Sequence, residues 1–247
     1  MPKVAFIRES PPPELQSIIH TMWHCQITEP GTIRLLPTAH VDIMAYTGSH
    51  GNGLAIVGPM VTAKLSKVMP GDMLVGARLK VGTRPLFINK SLRDAVIQIG
   101  TFDYPGIKPF IQHLSYLQST TAIQRKLVIL LDSLMLAKEF AVDVLVDQFA
   151  TQVEMNTEPF NYHDFVSALP IGERQFRRRF KKAASLSPKE FLQITRQERL
   201  VLDLKERTGS IANIASNHGY VDESHLHKTF KKSAGISPGS LKNELTL

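Results

Sequence analysis

FKKAASLSP (180–188) returns fifty residues later as FKKSAGISP (230–238). Phe180, Lys181, Lys182, Ala184, Ser187 and Pro188 match Phe230, Lys231, Lys232, Ala234, Ser237 and Pro238, six identities in nine positions. A repeat at fixed offset means one supersecondary unit used twice. Each copy also reads as the end of one helix and the start of another. In Ser187-Pro188-Lys189-Glu190 the serine suits the N-cap, proline the first helical position and glutamate the third, a capping box. In the second copy Gly235 supplies the left-handed stop and Ser237-Pro238 the restart. Ser185 stands at the Gly235 position, so the first stop is expected to be less well formed.

On a helical wheel the segments before these stops are two-faced. Phe176 and Phe180 fall together, with Arg174, Arg178 and Lys181 opposite. Leu226 and Phe230 fall together, with Ser224, Lys228 and Lys231 opposite. Such a helix is anchored on one edge and has cations free for phosphates and base edges on the other. Ahead of the second lies SIANIASNHGYVDESHLHKTF (210–230): a short helix, a stop at His218-Gly219 and a restart after Asp222, a helix-turn-helix. The first unit, FNYHDFVSALPIGERQF (160–176), has Pro170 and Gly172 in its turn. The helix joining the units runs from Pro188 to about Glu206.

Working outward, charge follows the same division. Residues 161–247 hold 15 Lys/Arg against 9 Asp/Glu, an excess of six, while residues 1–160 hold 14 against 13. The positive excess therefore sits with the repeat, as expected for a polyanion-binding region. The first hundred residues read instead as strands: TIRLLP (32–37), HVDIMAYT (40–47), LAIVG (54–58), AKLSKV (63–68), DMLVGARLKV (72–81) and AVIQI (95–99). Pro30-Gly31, GSHGNG (48–53) and Pro70-Gly71-Asp72 supply turns between them. Leu15, Ile18, Ile19, Met22 and Trp23 have helical spacing and predict an amphipathic helix before the strands. Helical patterns resume near Ile107, through 122–140 and 142–155, and Pro159 breaks the second of these.

The expected fold is α+β, a β-rich sandwich or barrel followed by an all-α part of two helix-turn-helix units joined by a long helix. Residues 1–106 form the β-rich sensor or dimerisation part, 107–140 a helical linker and 141–247 the DNA-binding part. No apolar run approaches the roughly 20 residues that span a bilayer. No secretory h-region opens the chain, so the cytoplasm is expected. Cys25 is the one cysteine, which excludes an internal disulfide and multi-cysteine zinc patterns.

FRRRFKKAASLSPKEFLQITRQERL (176–200), followed by SIANIASNHGYVDESHLHKTFKKSAGISP (210–238), resembles the DNA-binding domain of AraC/XylS-type transcriptional regulators, with Arg196 in the connecting helix among its specific residues. The resemblance implies two recognition helices inserted into consecutive major grooves. It puts base reading on Arg174, Arg177 and Arg178 in the first unit and on Glu223, Ser224, His227 and Lys228 in the second. Lys181, Lys182, Lys231 and Lys232 are then phosphate contacts. Gly172 and Ser185 depart from the family pattern, which has a capping serine and a glycine there. Met22-Trp23, 35–46, 56–60 and 76–82 are similar to the family's sensor domain. Implied partners are double-stranded DNA, a small-molecule effector, a second copy as a homodimer and RNA polymerase, with no membrane.

No catalytic set, cofactor motif or metal site is expected. His20, His24 and Cys25 would share a helix at i, i+4, i+5, a spacing that can hold a metal but more often reflects packing. His225 and His227 point to different sides of a helix and make no chelate. His40-Val41-Asp42 lacks partners for a metal-dependent oxygenase. Leu127, Leu130, Leu131 and Leu134 suit either a core or a dimer seam. An alternative stays open, an effector- or protein-binding signalling module whose DNA-binding part is degenerate.

Overall fold

The computed structural model describes residues 4–246 apart from 101, 103, 157–159 and 207–210. Pro159, expected to break a helix, lies outside the described residues, as does Ser210.

The N-terminal part is built on an antiparallel sheet. Its strands among the described residues are β1 (Val4–Glu9), β2 (Ile19–Ile27), β3 (Gly31–Leu35), β4 (Asp42–Thr47), β5 (Gly53–Val57), β6 (Lys64–Val68), β7 (Met73–Leu79), β8 (Thr83–Pro85) and β9 (Val96–Gln98). The main sheet has six strands in the order β1-β2-β7-β4-β5-β9, and β3 pairs separately with β6. All six expected strands are present. The expected helix over 15–23 is not: a 3-10 turn covers Pro13–Leu15 and the rest is β2. That strand lies between β1 and β7 and buries Met22, His24, Cys25 and Ile27. Burial on both faces erases the period of two, leaving apolar positions that mimic a helical stripe.

Two helices, α1 (Ile107–Leu114) and α2 (Thr120–Leu136), occupy the segment expected to be a linker. Ile107, Phe110, Leu127, Leu130, Leu131 and Leu134 are buried in one apolar cluster with Ile43, Leu54, Ile56, Val75 and Leu79 of the sheet. The leucine stripe of α2 therefore faces the core and is no dimer seam. A last strand, β10 (Phe140–Val142), pairs with β8.

The C-terminal part comprises α3 (Val144–Met155), α4 (Tyr162–Ser167), α5 (Glu173–Ala184), α6 (Pro188–Glu206), α7 (Ile211–Asn217), α8 (Glu223–Ala234) and α9 (Pro238–Thr246). It has two apolar clusters. The first gathers Phe149, Phe176, Phe180 and Phe191, with Phe149 of α3 in ring contact with Phe160, Tyr162, Phe165 and the other three. The second gathers Leu200, Leu204, Ile214, Tyr220, Leu226, Phe230 and Leu241. The connecting helix α6 serves both, giving Phe191 and Ile194 to one and Leu200 and Leu204 to the other. The start of α3 lies against the turn between β7 and β8, where Gly82 leaves room for it: a Cβ there would lie 2.6 Å from Asp143 O and 2.8 Å from Asp147 N.

Candidate nucleic-acid interface

Helices α5 and α8 are positioned by the apolar edges expected of them. Phe176 and Phe180 are fully buried, as is Leu226, and Phe230 is nearly so. The cationic edge consequently faces solvent: Arg174, Arg177, Arg178, Lys181 and Lys182 are exposed on α5. On α8 Glu223, Ser224, Lys228, Lys231 and Lys232 are exposed and His227 is half-buried.

These side chains are not equally available. Arg177 pairs with Glu173 one turn earlier. Arg179 makes a bidentate pair with Asp143, both bonds 2.9 Å, while Asp143 also accepts from Val146 N at the start of α3. Arg179 thus ties α5 to α3 and is structural. His227 lies 3.5 Å from Glu223 across one turn. Arg174, Arg178, Lys181 and Lys182 have no side-chain partner within the chain among the described residues, which leaves their donors for an external acceptor.

The helix ends bear out the capping chemistry. Asp222 accepts from His225 N at 2.6 Å and starts α8. At the head of α6, Ser187 Oγ accepts from Glu190 N at 3.2 Å, while Glu190 Oε2 accepts from Ser187 N at 2.8 Å. Burial pushes the Glu190 carboxyl up, but the Ser187 bonds and Arg93 outweigh it and hold the group below its ordinary value. Ser237 repeats the N-cap at α9, accepting from Ser240 N at 3.1 Å. Gly172 begins α5 with no side-chain cap. Gly235 (φ 76°) and Ser185 (φ 58°) both adopt the left-handed stop.

Ser185 has a role that sequence reasoning missed. Its hydroxyl accepts from Leu92 N at 3.0 Å, so the β-rich part grips the C-terminal end of α5. The equivalent end of α8 is gripped too. Arg34 donates to Ala234 O at 3.1 Å and lies 3.6 Å from Glu244, and Ala63 N donates to Ser233 O at 2.7 Å. These contacts cross some 90 to 200 positions of sequence, so no local signal could reveal them. Arg196, exposed on α6, sits 5.7 Å over the Tyr220 ring and braces the turn before α8. His218 reaches Asp203 at 3.0 Å and fastens the same turn to α6.

Residues 165–244 match the family described as a helix-turn-helix domain. The HTH-type transcriptional regulator MtrA of Neisseria gonorrhoeae is 30% identical over 92 residues, covering 37% of this chain and 31% of that protein. The match thus spans about a third of that relative's length. ToxT from Vibrio cholerae has the same fold over 99% of both chains, at 11% identity and a TM-score of 0.51. A transcriptional regulator from Chromobacterium violaceum with an AraC-type DNA-binding domain aligns over 41% of this chain and 91% of that one, at 22% identity and a TM-score of 0.39. Among the described residues, no helix is long and apolar enough to cross a membrane.

Proposed function

We propose that this chain, whose residues 165–244 form a helix-turn-helix domain, is an AraC-type regulator of transcription that reads double-stranded DNA with α5 and α8. What carries the reading is the duplicated arrangement: two helices at matching registers of one repeat, each anchored by buried Phe or Leu and each turning Arg or Lys outward. The 19 residues of α6, which joins the units, give it a length of about 28 Å at about 1.5 Å per residue. Successive major-groove faces lie about 34–36 Å apart, so one chain can present both helices to one side of a duplex.

In this reading Arg174 and Arg178 contact bases in one groove, and Arg177 joins them once released from Glu173. Ser224 and Lys228, with Glu223 and His227, contact the next groove. Lys181, Lys182, Lys231 and Lys232 neutralise phosphates. The chain divides near residue 140 into a β-rich unit that takes a small-molecule effector or pairs two copies, and a DNA-reading unit that acts in the cytoplasm with RNA polymerase. Leu92, Arg34 and Ala63 offer the physical route between them, since an effector that shifts the β-rich unit moves the ends of both recognition helices together. No catalytic role is part of this reading.

The test is affinity for genomic fragments measured against salt concentration. Recovery of a shared sequence motif, with a steep log–log slope on cognate and random DNA alike, supports the proposal. Binding without any motif, or none at low salt, favours the signalling module with a degenerate first unit.

A further inference from the structure

Three side chains distant in sequence converge where the sheet meets α3. His20 is the extra residue at a register shift between Ile19 and Thr21 of β2, a bulge of the kind that re-aims a side chain. His40 precedes β4, and Glu154 lies in the last turn of α3. His40 Nε2 is 3.2 Å from Glu154 Oε1, His20 Nδ1 is 3.9 Å from Glu154 Oε2, and the two imidazoles are 5.0 Å apart. One donor atom from each residue falls within 4.8 Å of the others. His40 is 5% exposed; its Nδ1 has no hydrogen-bond partner, while its Nε2 and Glu154 Oε1 face each other at 3.2 Å without closing a well-aligned hydrogen bond. Buried polar atoms are rarely left unpaired, and a group of them aimed at one point calls for an occupant.

We propose that His20, His40 and Glu154 bind a first-row divalent transition cation of the Zn2+ class at the junction of the β-rich unit and α3. Two imidazoles and one carboxylate are the donor set such a cation takes, with a fourth position left to water. Zn–N and Zn–O bonds of about 2.0–2.2 Å place neighbouring ligands roughly 3.3 Å apart in a tetrahedron. His40 and Glu154 already have that separation, and His20, the exposed member, has the freedom to close the remaining gap. Arg8, Arg78 and Arg199 share the cleft, but Asp42 neutralises Arg78 through two bonds of 3.1 Å and Arg199 is turned onto Val153 O. The cleft, of about 390 Å3, opens to solvent and gives the ion a path in. Occupancy ties β2 and the turn before β4 to the helix that carries Phe149. The site stands independently of DNA recognition.

The test uses the full chain, stripped with a chelator and titrated with Zn2+ against a chromophoric competitor. One equivalent per chain is expected, with affinity falling at least about tenfold in H40A and E154Q. H113A, which removes an exposed histidine of α1, leaves it unchanged. X-ray absorption of the loaded chain is expected to show two imidazoles and an oxygen. Should H40A fail to fold, H20Q carries the same expectation from a partly exposed position. Equal affinity in the wild type and these ligand variants, or no stoichiometric binding, overturns the proposal.

Discussion

At the scale of single residues, Ser185 and Asp42 show how one side chain settles a conflict. A left-handed backbone costs a non-glycine residue about 1–2 kcal/mol, and Ser185 accepts this because its hydroxyl receives the amide of Leu92. Ser185→Ala keeps the strain and leaves a buried N–H unpaired, so it is expected to destabilise by about 1–3 kcal/mol. Ser185→Gly removes strain and bond together and is expected to be near neutral. Urea midpoints at constant m distinguish them. Asp42 is buried, which pushes its carboxyl up, yet Arg78 and the Trp23 indole N–H prevail and hold it below the ordinary value. A group depressed on folding contributes stability above its unfolded value of about 3.9, and that contribution is lost as pH falls through the folded value. Stability is therefore expected to decline progressively below about pH 4, and Asp42→Asn, though less stable at neutral pH, to flatten that acid limb of a urea-midpoint profile.

The elements divide into those written locally and those decided by neighbours. Helices α5 and α8 belong to the first group: Phe176/Phe180 and Leu226/Phe230 repeat at helical spacing, and Ser187-Pro188 and Asp222 mark the ends within a few residues. The candidate interface was legible for that reason, since an anchored edge leaves the opposite edge in water. The strand β2 belongs to the second group. Its apolar positions suit a helix, and only pairing with β1 on one side and β7 on the other makes it a strand. On the proposed DNA reading, Arg178→Ala is expected to lose roughly 1–3 kcal/mol on the preferred sequence and relax specificity there. Equal loss on random DNA would show that Arg178 touches only phosphate. Lys232→Ala is expected to weaken all sequences alike and to flatten the salt slope by about one unit. A changed sequence preference would instead assign it to bases.

For the whole molecule, the β-rich part holds both α5 and α8 by their C-terminal ends, through Leu92–Ser185 and through Arg34 and Ala63 on Ala234 and Ser233. Removing one grip tests whether the two units respond separately. Arg34→Ala is expected to speed amide hydrogen exchange in α8 and α9 while leaving α5 unchanged, because Phe149 anchors α5 through a different apolar cluster. Uniform acceleration across both units would mean that they open as one. The leucine stripe of α2 belongs at this scale too. Its periodicity permitted a core or a seam, and the sheet that covers it is more than forty positions earlier in the chain.

Repeat, capping and periodicity are local properties, fixed by hydrogen bonds and side-chain directions within a turn or two, and from them the sequence alone determined the two helix-turn-helix units and their cationic edges. Everything that depends on which distant segments touch was left to the tertiary structure: β2 as a central strand, the grips on α5 and α8, and the meeting of His20, His40 and Glu154. Such contacts come from closing long loops onto a shared core, and neither residue spacing nor composition records which loop closes on which.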